Sequence, residues 1–134
     1  MATIAHAPFV LRNVALTIGL DEYNLHTSQV EFTPTSAAVT WTGLGGNTYS
    51  STGTATWTVT MALAQDWTTA DSLSRYLMDH EGEEVEITFA PQAGEASFTS
   101  TVTIAPGGIG GTAGAVAVAS VTLSCTKPVF VPAI

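Results

Sequence analysis

The chain has 134 residues, of which 46% are hydrophobic and only 10% are charged. Soluble domains usually carry about 25% charged residues, so much of this surface is expected to become covered by copies of the chain or by other subunits. Eleven acidic residues and three basic ones give a net charge of −8, which argues against direct binding to nucleic-acid phosphates.

Residues 1–134 are expected to form a single domain, because the length suffices for one core and no change of composition divides the chain. No apolar run reaches the ~20 residues of a membrane span. Met1–Pro8 lacks the basic and long apolar regions of a signal peptide. We therefore expect a protein that is used without export and has no membrane partner.

The first third of the chain predicts two strands followed by a long arm. Phe9–Ile18 and His26–Phe32 are predicted strands, joined by the polar turn Gly19–Asn24. The segment from about Thr33 to Gly53 then holds a short alternating piece and a stretch rich in Gly, Ser, Thr and Asn. Such a stretch is uncommon in a compact domain unless it is functional or becomes ordered on a partner. A long hairpin is therefore predicted over about 33–53, with Gly43–Thr52 as its projecting tip.

Threonine marks one face of the following strands, and large apolar residues mark the other. The alternation runs through Thr54–Leu63, Glu84–Phe89 and Phe98–Ile104. One face for a core and one for water is typical of an antiparallel sheet packed on one side. Ala115–Cys125 differs, because its early valines fall on the opposite face from Val121 and Leu123, which predicts a strand that is covered on both sides or changes its environment midway.

One helix interrupts these strands, from roughly Thr69 to His80. Thr68 or Thr69 is the predicted N-cap, and Gly82, just past the end of the helix, is predicted to terminate it. The face with Leu73, Tyr76 and Leu77 is expected to be apolar. The face with Asp71, Arg75 and Asp79 is expected to be solvated and internally paired.

The segments of the sequence that partly match catalytic, cofactor or metal motifs favour structural roles. Gly108–Ala113 matches G-x-G-x-x-A, but that fingerprint requires a helix directly afterwards and a strand follows, so a strand-connecting loop with positive-φ positions is predicted. The acidic run Asp79–Glu86 lacks the spacing of a calcium loop and favours a solvated surface. The three histidines lie far apart, and no serine nucleophile motif is present. Cys125 is predicted to be a small buried hydrophobe. No enzyme activity, cofactor or metal is expected.

The three tryptophans are assigned different positions. Trp57 shares the apolar face of its strand and is predicted to lie in the core. Trp41 and Trp67, near the arm and the helix start, are candidate interface anchors.

The second half of the chain resembles the major tail protein of long-tailed bacteriophages, the subunit of the tail tube. The resemblance is carried by a helix, a G-x-x-V-x-I-x-F strand, a T-x-T-x-x-x-P strand end, a G-G-I-G-G loop and a closing S-V-T-L-S-C-x-K-P-V-F segment. In this sequence the pieces are Asp71–His80, Gly82–Pro91, Thr101–Pro106, Gly107–Gly111 and Ser120–Phe130.

The resemblance implies a mainly β protein, an antiparallel β-sandwich or barrel with one flanking helix and a long projecting hairpin. It further implies six copies closing into a ring, rings stacking into the tail tube of a virion assembled in the bacterial host cytoplasm, and a channel for DNA in transit. Further implied partners are the tape measure, tail terminator and distal tail proteins.

Two sets of residues follow from this resemblance and from the strand pattern. The channel-lining candidates lie on polar strand faces and are Glu31, Thr56, Thr58, Glu84 and Glu86. The ring-stacking candidates lie in the arm and are Trp41, Gly43, Gly45, Gly46, Asn47 and Tyr49. Two alternatives stay open: another virion tail subunit of the same fold, such as a tail-completion or distal-tail ring protein, and a carbohydrate-binding or host-binding β-sandwich module.

Overall fold

A computed structural model describes residues 1–12, 14–92 and 96–132. This part of the chain contains one helix, α1 (Leu73–Asp79), and ten strands. The strands are β1 (Ala15–Ile18), β2 (Asp21–Glu22), β3 (Thr27–Thr35), β4 (Ala38–Thr42), β5 (Thr48–Thr52), β6 (Thr56–Ala64), β7 (Glu84–Ala90), β8 (Ser97–Thr103), β9 (Val118–Cys125) and β10 (Val129–Val131).

Eight strands form one antiparallel sheet in the order β2-β1-β7-β8-β9-β6-β3, and β10 pairs with β8. Between β8 and β9 the pairing is reduced to Val102 with Cys125, and there the sheet folds over itself. The aromatic rings of Phe32 on β3 and Phe89 on β7 consequently lie 6.2 Å apart, although three strands separate β3 from β7 within the sheet. The fold is thus a sandwich with a β3–β6–β9 layer and a β1–β7–β8 layer.

The core fills the space between the two layers. Alternate residues of each long strand point inward, as the threonine pattern predicts. Buried side chains come from β1, β3, β6, β7, β8, β9 and α1 and from the residue that follows β8; the largest are Leu16, Ile18, Val59, Met61, Leu63, Leu73, Leu77, Ile87, Val102, Ile104 and Leu123. Trp57 lies on the inward side but is only half-buried, so the prediction of a core tryptophan holds for its direction and not for full burial.

A polar corner carries the chain from one layer to the other between β9 and β10. The Ser100 hydroxyl donates to the carbonyl oxygen of Thr126 at 2.7 Å. The Thr101 amide donates to the Thr126 hydroxyl at 3.1 Å, and the Thr126 amide donates to the Thr101 carbonyl at 3.0 Å. These bonds satisfy the backbone groups of Thr126, which follows the last β9 residue paired with β6 and precedes the pairing of β10 with β8.

The helix is shorter than the predicted span from Thr69 to His80. Its N-cap is Ser72, whose hydroxyl accepts from the Arg75 amide at 3.4 Å. Asp71, placed inside the predicted helix, adopts φ 63°, a left-handed conformation that cannot continue an α-helix. The preceding turn is instead closed by the Asp66 carboxylate, which accepts from the amides of Thr68 and Thr69 at 3.0 and 3.1 Å.

The helix faces are partly as predicted. Leu73 and Leu77 are buried against the sheet, while Tyr76 packs against the core from a half-buried position. Asp71, Arg75 and Asp79 are exposed, as predicted for a solvated face. The predicted pairing among them was wrong, since no ion pair joins them in the described residues and Asp71 lies before the helix begins. A hydrogen bond nearby joins His80 Nδ1 and Glu83 Oε2, which lie 2.6 Å apart.

Several strand boundaries also differ from the predictions. The first strand begins at Ala15 rather than Phe9, and Asn13 within that predicted span lies outside the described residues. The predicted turn Gly19–Asn24 contains the two-residue β2. In β9, buried and exposed residues alternate from Val118 onward, so within the single chain this strand is covered on one side only. No helix in the described ranges is long and apolar enough to cross a membrane.

Candidate functional site

The five channel-lining candidates all lie on outward faces of the sheet. Glu31 pairs with Thr60, and Glu84 and Glu86 pair with Thr103 and Thr101. Directly opposed residues in antiparallel strands share a face, and the strand residues next to these positions are buried or half-buried. Every one of these positions therefore points away from the core.

The structure nevertheless divides the five candidates between the two layers. Glu31, Thr56 and Thr58 belong to the β3–β6–β9 layer, whereas Glu84 and Glu86 belong to β7. Because the layers pack face to face over the core, their outward faces point in opposite directions. A single wall cannot contain both groups.

The two outward faces differ in charge. On the β3–β6–β9 layer, Glu31 is the one charged residue within the three strands, and the remaining outward positions are mostly hydroxyls. Thr60 and Thr122 bridge β6 and β9 through their hydroxyl oxygens, which lie 3.3 Å apart. The β1–β7–β8 layer is more acidic, because Glu22 pairs with Thr17 and joins Glu84 and Glu86. Glu22 was not among the candidates, since its strand has only two residues and shows no alternation.

None of the three basic residues belongs to a strand of either face. Arg12 precedes β1, Arg75 lies on α1 and Lys127 lies in the corner after β9. Cation-free faces repel a polyanion or leave it uncontacted, since phosphate binding depends mainly on lysine and arginine.

The arm is a separate two-stranded sheet made by β4 and β5. The predicted hairpin is present, but its tip is only the turn between Thr42 and Thr48, because the second half of the predicted tip, Gly43–Thr52, forms β5. Every strand residue of the hairpin is exposed. The Gly53 amide donates to the Ala37 carbonyl at 2.8 Å and closes the hairpin base.

The ring-stacking candidates divide between one hairpin face and the turn. Trp41 and Tyr49 are directly paired, and Val39 lies two residues along on the same face. These three side chains are 59%, 62% and 56% exposed, so the hairpin carries an uncovered apolar face. In the turn, Gly46 has φ 81° and its amide donates to the Gly43 carbonyl. Gly45 and Asn47 complete this turn, and the Asn47 carbonyl accepts from the Gly43 amide at 2.7 Å.

An apolar cavity of about 570 Å³ lies at the seam between the two layers. We call it the seam cavity. It runs beside β3, which is the last strand of the sheet order and has one unpaired edge. Its lining is mostly aromatic and aliphatic and comprises Phe9, Leu11, Gln29, Val30, Glu31, Phe32, Trp57, Phe89, Pro91, Phe98, Lys127 and Pro128. No motif predicted it, because its walls come from six separated segments.

The glycine-rich loop after β8 is held by the side chain of Gln65. Its Nε2 donates to the carbonyls of Gly110 and Val118 at 2.8 and 3.0 Å, and its Oε1 accepts from the Gly110 amide at 2.9 Å. Trp67 Nε1 donates to the same oxygen at 3.3 Å. Gly110 and Gly114 have positive φ and a strand follows the loop, as predicted.

Cys125 is half-buried rather than fully buried and borders a shallow depression beside Glu84 and Ser124. Burial raises the pKa of its thiol above the usual value, and a hydrogen bond with Ser100 opposes this only partly. A raised pKa reduces the thiolate fraction at neutral pH, so the cysteine is a poor nucleophile.

Comparison with known proteins identifies the fold. Neither a protein-family model nor a curated protein matches the chain. The chain is similar to one in the extended-state sheath–tube complex of PVC, an extracellular contractile injection system, with a TM-score of 0.62 and 14% identity over 93% of this chain and 92% of that one. It is also similar to a chain in the sheath/tube terminator of PVC, with a TM-score of 0.61 and 14% identity over 95% and 99%. The predicted mainly β, antiparallel fold of the tail-tube type is confirmed.

Proposed function

We propose that the protein is a structural subunit whose copies close into six-membered rings and stack into a tail tube. The observation that carries this proposal is a fold of the tail-tube type whose apolar hairpin face and long β3 edge have no partner within the described chain. A free edge on a strand of nine residues invites pairing with another chain. The opposite edge, β2, is short and made of Asp21 and Glu22, which discourages such pairing.

The outward face of the β3–β6–β9 layer is the proposed channel wall. Strands β3 and β6 continue directly into the hairpin, so the wall and the arm belong to one continuous part of the subunit. Hydroxyls and one carboxylate per subunit give DNA little to bind, and a ring would repeat this surface six times. Glu84 and Glu86 then face the side of the subunit away from the channel.

The proposed setting is a bacteriophage virion, with DNA in transit as the cargo and the tape measure, terminator and distal tail proteins as partners. Support for this setting comes from the sequence resemblance to major tail proteins and from the absence of amines on the sheet faces. A second candidate, a ring that terminates the tube, is favoured by the equally extensive similarity to the sheath/tube terminator.

Negative-stain microscopy of the purified protein tests the proposal. A tube subunit gives tubes or stacked rings as concentration rises, whereas a terminator gives single rings. Light scattering that detects only monomers at every concentration and ionic strength would refute both.

Excision of the arm separates its role from folding. Residues 38–52 are replaced by an Asn-Gly turn between Ala37 and Gly53, whose backbones already approach each other. Because the hairpin forms its own sheet, the β3–β6 pairing of Thr35 with Thr56 remains and the variant should fold. We expect rings that no longer stack; tubes of normal length would show that the arm is dispensable.

A further inference from the structure

We propose that the seam cavity of one subunit receives the aromatic face of the hairpin of a second copy, with Trp41 and Tyr49 as the anchors. This inference rests on the proposed self-assembly and assigns the two surfaces that meet. The apolar face of the arm is exposed in the single chain, and the apolar cavity beside β3 is open to solvent.

Charge favours a second copy as the occupant. Two copies of a chain with net charge −8 repel each other, so contact is least costly where charge is absent. Residues 32–65, which include the whole hairpin, contain no charged residue. The cavity lining includes only Glu31 and Lys127 as charged residues, and these have opposite signs. A neutral apolar arm therefore brings no further charge into the contact.

The available area indicates how strong one such contact is. Each aromatic side chain buries about 150–250 Å², so two anchors and their partner surface account for roughly 600–1,000 Å². A stable isolated pair usually needs about 1,200–2,000 Å² in total. One arm is thus too small to hold two single chains firmly, but a ring that offers several arms to a ring with several cavities gains by multivalency. The contact suits stacking of rings better than pairing of monomers.

The test combines two variants that each lose one half of the contact. The arm variant carries Trp41→Ser and Tyr49→Ser, and the cavity variant carries Phe9→Asp and Leu11→Asp. All four side chains are exposed in the single chain, so folding is retained and is checked by the thermal unfolding midpoint. Each variant alone should stop at single rings, because each arm-to-cavity contact lacks one partner.

Mixing the two variants restores one contact and only one. The arms of the cavity variant enter the cavities of the arm variant, and the second contact is missing, so growth stops after one step. Mass photometry should show particles of twice the parent mass and no longer tubes. Matched controls are Thr40→Ala with Ser50→Ala on the opposite hairpin face, and Leu20→Asp with Leu25→Asp at exposed sites elsewhere. Both controls should still form tubes.

The outcomes distinguish this inference from the proposed function. If the unaltered protein forms tubes but the mixture keeps the parent mass, the arm docks elsewhere and the inference is wrong. Tubes of normal length from the cavity variant alone overturn it as well. If the unaltered protein never assembles, the proposed function itself fails.

Discussion

Replacing Gln65 by alanine should open the glycine-rich loop without unfolding the sheet. The side chain makes three hydrogen bonds to the loop region and accepts one from Trp67. Each neutral bond contributes about 1 kcal/mol net, which sets an upper bound near 4 kcal/mol. Because the site is exposed, water replaces part of the lost hydrogen bonding. Alanine has no side-chain entropy to lose on folding, whereas ordering the glutamine side chain costs up to about 2 kcal/mol. The expected local loss is therefore about 1–2 kcal/mol.

Hydrogen exchange at the Gly110 amide measures this loss directly, because that amide donates to Gln65 Oε1. A loss of 1–2 kcal/mol corresponds to a fall in protection of about 5- to 30-fold. Gln65→Glu keeps the acceptor but not the donor and should give an intermediate value. Gln92→Ala, which removes a bond to Val10 at a distant site, is the control. Unchanged Gly110 protection in Gln65→Ala would refute the role assigned to this side chain.

Three further predictions concern the helix cap, an exposed turn and the sheet faces. Ser72→Ala removes the cap and a 2.6 Å bond to the Asp66 carbonyl, so urea denaturation should show a loss of about 1–2 kcal/mol. Hydrogen bonds from Thr69 and then Thr68 lower the pKa of Asp66 to about 2. The ionised carboxylate therefore stabilises the folded state at pH values above its usual pKa near 3.8, and this stabilisation is lost as pH falls toward 2. The stability difference between the unaltered protein and Asp66→Asn should shrink over that pH range, and a constant difference would contradict this linkage. Glu31→Lys should slow DNA passage through assembled tubes, with relief at higher salt, while Glu84→Lys with Glu86→Lys should not; the reverse pattern would place β7 on the channel wall.

The strands could be predicted from the sequence because threonine and large apolar residues alternate through them. In β6, for example, Val59 and Met61 are buried while Thr56 is exposed, as the alternation requires. The helix start could not be predicted, because it depends on the left-handed backbone of Asp71 and on the turn that the Asp66 carboxylate closes. From the sequence alone, Thr68 and Thr69 are equally plausible N-caps.

The arrangement of the candidate residues could be predicted only within each strand. Alternation places Glu31 and Glu84 on polar faces, but the fold of the sheet at Val102 and Cys125 decides that these faces oppose each other. The bonds of Gln65 join positions 45 and 53 residues away, and no local pattern encodes such a contact. The seam cavity has the same origin, because it exists only when distant segments meet.

The corner at Thr126 has a consequence for the timing of synthesis. Lys127 and Pro128, which line the seam cavity, leave the ribosome well after the hairpin, because they follow it in the chain. Lys127 follows Thr52 by 75 residues, which take roughly 4–15 s to translate at about 5–20 residues per second. During this interval a nascent chain displays its arm but has no finished cavity. On the proposed docking, a nascent chain cannot receive an arm until translation has passed Pro128.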